Sequence, residues 1–290
     1  MLVLALLVHK QTEAHPTGNL IMAGDKVLWS YVYPIEDKGH YACVMMWDKN
    51  SQNKPKPLIV SEFNASDFML YANDTILYII ERRFIQSADK YKFRILKSNQ
   101  GTQPTEIWPW QNDKMRIGEG GFRMNSDNEI VFCRYPNIYI KKKEGQTKPY
   151  FEFAEPIKKI RAIGKNKFLL ISDNQVWLTD SSGDILQNWN NLTENVEGEI
   201  ALNRNMIFDA DWQKGKLLIA YWGKRSFEII GENGKRKVIK QYSKPWVPHW
   251  VAFDNSQKFL FSSKMEFNGN NPEPELLLFK NEPIEIWTKQ

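Results

Sequence analysis

Four carboxylates and a small set of aromatic and basic side chains are the residues of this chain whose types could do chemistry. Asp209 and Asp211 stand two apart in IFDADW, so on a β-strand both would point the same way. Two carboxylates on one strand face could bind a cation or act as an acid and base if that face lined a channel. Asp113 and Glu119, in QNDKMRIGEG, are the acidic residues that could join them. The plainer role for Asp209 and Asp211 is to cap the turn that follows them. Nothing else supports catalysis. The chain has no GxSxG elbow, no cysteine–histidine neighbourhood and no glycine loop to cradle a phosphate. A single histidine near the same region, His249, makes no metal site, so neither a metal nor another cofactor is expected.

Binding is better represented. WQNDKMR, YWGKR and KPWVPHW supply Trp110, Arg116, Tyr221, Arg225, Trp246, His249 and Trp250, the candidate ligand-binding residues. Aromatic faces beside arginine and asparagine suit a carbohydrate, a peptide or another planar or anionic ligand, and also a partner protein. Each has a structural reading beside the functional one. Trp246 and Trp250 are as well suited to packing, Trp110 is similar, and His249 also reads as a hydrogen-bonded loop residue. Trp108 and Trp287 are expected in the core, because they recur in register.

Segments so far apart can meet only if the chain folds back on itself repeatedly, and it carries the marks of doing so. PTEIWPW begins at Pro104 and PIEIWTK at Pro283, 179 residues later. Between and around them recur IMAGDKVLW, MLYANDTILYI, FRMNSDNEIVF, IRAIGKNKFLLI, FDADWQKGKLLIA and VAFDNSQKFLFSS. Each is an apolar stretch, a turn of Gly, Asn, Asp and Lys, and a strongly apolar strand, which is hairpin chemistry. The first apolar residues after the turns are Val27, Ile76, Ile130, Phe168, Leu217 and Phe259, spaced by 49, 54, 38, 49 and 42 residues. Four such steps span the 179-residue echo. A period near 45 residues with about four short strands per unit predicts an all-β fold, a six-bladed β-propeller.

Two lines, IFDADWQKGKLLIAY (207–221) and WVAFDNSQKFLFSS (250–263), resemble the six-bladed propellers of the TolB-like and NHL-like type. The resemblance implies a fold and brings no catalytic motif. No blade ends in the Trp-Asp pair of WD40 repeats beyond one at Trp47-Asp48, and no turn carries the sialidase box. In this topology the inner-hairpin turns and the turns between third and fourth strands share one face. The blade junctions and the turns between second and third strands share the other. The candidate residues fall on the junction face, where ligands of such folds usually bind. The loop Asn268–Glu275 of blade six is its most extended polar insertion.

Composition sets the remaining bounds. Of 290 residues, 42% are hydrophobic and 13% aromatic, enough for a large core. A net charge of +5 from 39 basic and 34 acidic residues is too small and dispersed to imply nucleic acid, and Lys141-Lys142-Lys143 reads as a solvated turn. Cys43 and Cys133 sit in apolar runs and read as buried hydrophobes, with a disulfide left open. Residues 1–14, with the apolar run Leu2–Val8 before Thr12-Glu13-Ala14, look like a truncated signal peptide, leaving 15–290 as one propeller domain. A cleaved leader implies a secreted or periplasmic protein; a retained one, a cytoplasmic protein. Sequons at Asn64, Asn73 and Asn191 matter only for a eukaryotic secreted chain. No later run is long enough to cross a bilayer. The expectation is therefore an exported, non-catalytic propeller binding a ligand or partner at its loop-rich face. A propeller enzyme acting on saccharides or lactones is the alternative, and requires two or three carboxylates, or an Asp/Glu/Asn set, to converge at the channel mouth, for which Asp113, Glu119, Asp209 and Asp211 are the candidates.

Overall fold

The recurring turns each close a hairpin at the inner edge of a four-stranded sheet. In a computed structural model, which describes residues 18–35, 39–63, 65–194, 205–254, 257–264, 274–280 and 283–288, six antiparallel sheets follow one another along the chain. The leader at 1–14, the Asn64 sequon and residues 268–273 of the blade-six loop lie outside the described residues. Blade one comprises Leu20–Ala23, Lys26–Ile35, Gly39–Asp48 and Lys56–Val60, and blade six Trp246–Asp254, Gln257–Lys264, Pro274–Phe279 and Pro283–Thr288. The inner strands between them are Ser66–Asn73, Phe122–Ser126, Lys159–Ile163 and Ile207–Gln213. The protein is thus an all-β, six-bladed propeller. The two echoing segments are the outermost strands of blades two and six. Among the described residues no helix is long and apolar enough to cross a membrane.

Turn chemistry fixes the hairpins. Ala23 pairs with Lys26, Asn73 with Ile76 and Gln213 with Lys216, leaving two residues to reverse the chain. Such turns need left-handed backbone, and Lys214 (φ 47°) and Gly215 (φ 75°) both supply it. Burial then follows position in the blade. The second strands are covered on both faces, which is why KLLIAY of blade five is apolar almost throughout. Outer strands such as Arg236–Gln241 face solvent and tolerate alternation and charge.

Six apolar clusters hold the ring, each at one blade–blade interface. Phe68 and Val44 belong to the first, Trp108 and Phe132 to the second, and Val131 and Phe168 to the third. Leu169 and Leu217 belong to the fourth, and Leu218 and Val251 to the fifth. The sixth closes the circle. Trp29 and Cys43 of blade one pack there with Trp250 and Phe261 of blade six, and Trp287 lies against Trp29 and Tyr31. Lys49 of blade one also bonds Asp254 of blade six at 2.7 Å. Every blade draws its four strands from one contiguous stretch, so no strand is exchanged between chain ends among the described residues. Both cysteines are free, buried thiols in different clusters; burial pushes the Cys133 thiol up to about 12 and raises Cys43 as well.

Candidate functional site: the central cavity

Inner strands have one neighbour within the blade and the ring axis on the other side, so side chains of adjacent inner strands must settle each other's polarity. Asn19, just before the blade-one strand, does this by bonding both backbone groups of Leu70 in blade two, at 2.7 and 2.9 Å. Blade four presents KIRAI and blade five FDAD one repeat later. Alternation sends Lys159 and Arg161 toward blade five, and Asp209 and Asp211 toward blade six. The carboxylates accept backbone N–H bonds from Val251 at 3.1 Å and Phe253 at 2.8 Å.

Arg161 joins four blades at once. Its guanidinium donates to Asp209 at 2.8 Å, to the Val251 carbonyl at 2.9 Å and to the Leu20 carbonyl at 3.2 Å, with Asp211 3.6 Å away. Blade one lies opposite blade four, so this side chain spans the channel and links both sides of the closing seam. The planar five-donor fork makes such a junction available to arginine and not to lysine. Burial pushes the Asp211 carboxyl above its usual range. Lys159 donates to the Phe208 carbonyl at 2.6 Å and lies 3.9 Å from the centroid of the Phe208 ring. Burial lowers its ammonium to about 8, against the opposing attraction of Asp209.

These groups line a cavity of about 520 Å³ along the axis. Its walls include Asn19, Tyr71, Phe122, Lys159, Arg161 and Trp212, and its rim includes Asn73, Asp74, Gly164, Gln213 and Lys214. These five lie in or beside inner-hairpin turns, while Gly18, Asn19, Gly120 and Gly121 line the cavity at the junction end, so it runs along the axis between the two faces. Two buried polar atoms in this wall, Nε1 of Trp212 and Oε1 of Gln213, have no hydrogen-bond partner among the described residues.

The residues expected from sequence lie elsewhere. Tyr221, His249 and Trp250 are buried in the packing around blades four to six and one, which shields them from the open junction face. The Tyr221 hydroxyl contacts Asn205 at 2.6 Å, and His249 Nε2 lies 2.5 Å from the Ser263 hydroxyl amid Phe208, Trp222, Trp250 and Phe261. Arg225 bonds the Trp246 carbonyl at 2.9 Å, and half-buried Trp246 stacks on Tyr242. Blades five and six thus carry five of the seven, largely as packing, with Tyr221 in the cluster between blades four and five and Trp250 in the one between blades six and one. Trp110 is in blade two, against Phe63 and Arg94, within the strand Thr105–Asp113, where the junction loop was expected to begin. Exposed Arg116 pairs with Glu119 at 3.2 Å.

Of the four candidate carboxylates, Asp209 and Asp211 come together at Arg161, and Asp113 and Glu119 do not join them. Asp113 caps its own turn through the N–H groups of Met115 and Ile117, and Glu119 binds Arg116 and Arg134. Asp209 and Asp211 do face the channel, where they hold an arginine and the next blade, and do not cap the turn. No three potential metal ligands cluster among the described residues. Lys159 and Arg161 were missed. Their signal was available as two cations at alternate positions of an inner strand, with two anions at alternate positions one repeat on.

No protein-family model matches the chain, and no curated protein matches it by sequence. Solved structures do share its fold. A chain of a nidogen–laminin complex superposes with TM-score 0.51 at 13% identity, over 90% of this chain and 88% of that one. A puromycin hydrolase S511A mutant gives 0.50 at 11%, over 96% of this chain and 55% of that one, so this chain spans about half its length. Virginiamycin B lyase from Staphylococcus aureus gives 0.48 at 13%, over 85% and 92%. At such identities the likeness is one of fold alone.

Proposed function

We propose that the protein is a non-catalytic binding propeller that takes a small polar ligand, a saccharide before others, into the central cavity. The observation that carries this reading is the cavity itself. Its volume of about 520 Å³ falls in the range of small-molecule sites, and its walls are rigid inner strands. Apolar and aromatic walls beside amides and hydrogen-bonding side chains suit a sugar, which has both an apolar face and a ring of hydroxyls. Both cavity carboxylates are engaged by Arg161 and backbone N–H groups, which supports binding over turnover.

A panel of immobilised neutral and acidic oligosaccharides tests this. Binding by the purified protein is expected, with loss in Trp212→Ala and retention in Trp246→Ala on the junction face. Retention in the first variant and loss in the second would return the site to the junction face. A lyase or hydrolase reading rests on Asp211, whose raised carboxyl lines the same cavity. Consumption of a bound saccharide, abolished by Asp211→Asn, would favour it. Export belongs to the proposal through the apolar run Leu2–Val8, and intact mass after expression with native upstream codons tests it.

A further inference from the structure

Lys159 brings a primary amine into the wall of the axial cavity, half-buried and not sealed over. Arg161, two residues on, engages both nearby carboxylates, Asp209 at 2.8 Å and Asp211 at 3.6 Å. Lys159 is left without a carboxylate at ion-pair distance among the described residues. Its partner is the Phe208 carbonyl, at 2.6 Å. Phe208 is the extra residue of a β-bulge, since Ile207 pairs with Tyr221 and Asp209 with Ala220. Bulges re-aim groups beside functional sites, and this one brings both the carbonyl and the ring of Phe208 to the amine. Burial lowers the ammonium to about 8; Asp209 pulls the other way, and Arg161 adds repulsion. A lysine desolvated in a pocket and set beside another cation is an activated nucleophile. Donating one N–H to a carbonyl leaves the neutral amine its lone pair.

We infer that Lys159 captures a small aldehyde inside the cavity as an imine, the open-chain form of a short aldose being the ligand its surroundings suit. The amine lone pair attacks the aldehyde carbon, and the carbonyl oxygen takes up a proton to give a carbinolamine. That hydroxyl then leaves as water, with the nitrogen supplying the electron pair of the new C=N bond. Amine and aldehyde become imine and water, with nothing oxidised or reduced. The protonated imine keeps a positive charge where Asp209 already attracts one. Arg161 cannot do this chemistry, because a guanidinium holds its proton throughout the ordinary pH range. The inference rests on the cavity admitting a ligand, as the saccharide reading does, and adds a reversible covalent bond at one atom, Lys159 Nζ.

Reductive trapping reads this directly. The full chain is incubated with glyceraldehyde and sodium cyanoborohydride near neutral pH, and peptide mass mapping follows the adduct at each lysine. Lys159 is expected to react about tenfold faster than exposed lysines such as Lys165 and Lys214, through its larger neutral fraction. The advantage should disappear in urea, where the cavity is gone. Intact mass at short times should show one adduct on the native chain and none on a Lys159→Arg variant, which keeps the charge and loses the nucleophile. Lys159 reacting no faster than exposed lysines, or keeping its advantage in urea, overturns the inference. The oligosaccharide panel separates the two readings. Saccharide binding with a slow Lys159 overturns the imine alone, whereas a fast Lys159 in a protein that binds no oligosaccharide supports it and removes the saccharide preference.

Discussion

Lys159 shows most plainly how position governs a side chain here. Its ammonium is lowered to about 8 because the surrounding protein solvates it poorly. A lysine whose folded value lies below its unfolded value binds fewer protons when folded, between the two values. Stability therefore rises as pH climbs from about 8 toward the free-lysine range near 10.4, by at most about 1.4 kcal/mol per unit. Urea unfolding across that window should show this slope, and Lys159→Met should flatten it. A slope unchanged in the variant would assign it to another group. Tryptophans sort in the same way. Trp250→Ala empties a closed cluster and should cost about 3–5 kcal/mol. Trp246→Ala loses a half-buried stack worth about 1 kcal/mol. Equal losses in thermal unfolding would contradict that ordering. Residue type alone could not separate these two rings, because both sit in one proline-rich stretch, VPHW beside KPW. Four apart in one strand, they would share a face; the bulge between Pro248 and Trp250 and the neighbouring blade decide which ring is enclosed.

Among the elements, the inner hairpins were the most legible. Asn, Asp, Gly and Lys between apolar runs specify a tight reversal locally, so every one of the six repeats could be located from a few residues. Outer strands were less so. The polar residues Gln111, Asn112 and Asp113 read as loop, yet they extend a strand to Asp113, because an edge strand at the rim can carry polar side chains into water. The least legible element was the inner strand of blade four, whose partners come from three other blades. Arg161→Met tests its role. Removing the guanidinium leaves Asp209 and Asp211 buried without their cation, a loss of about 3–5 kcal/mol in chemical denaturation. Asp209→Asn and Asp211→Asn added to that variant should recover part of it. A loss below about 1 kcal/mol, typical of an exposed ion pair, would mean that the arginine does not tie the ring.

At the scale of the whole molecule, six interfaces of similar apolar character make a ring whose axis holds a cavity with charged side chains in its wall. Blade number followed from the period of the sequence. The shape of the cavity did not, because it depends on how far each inner strand reaches along the axis and on which side chains cross it. Arg161 and Asn19 occupy space near the junction end, while Gly164, Gln213 and Lys214 frame the mouth at the hairpin end. Sequence reasoning placed ligand contacts on the junction face by the habit of the fold; packing fills much of that region with Tyr221, His249 and Trp250.

A crystal structure of the protein with its tightest-binding saccharide tests the central claim most directly. The account predicts ligand density inside the axial cavity, in contact with Trp212 and Gln213. Density confined to the junction face, around Trp110, Arg116 or Trp246, with the cavity unchanged, would contradict it.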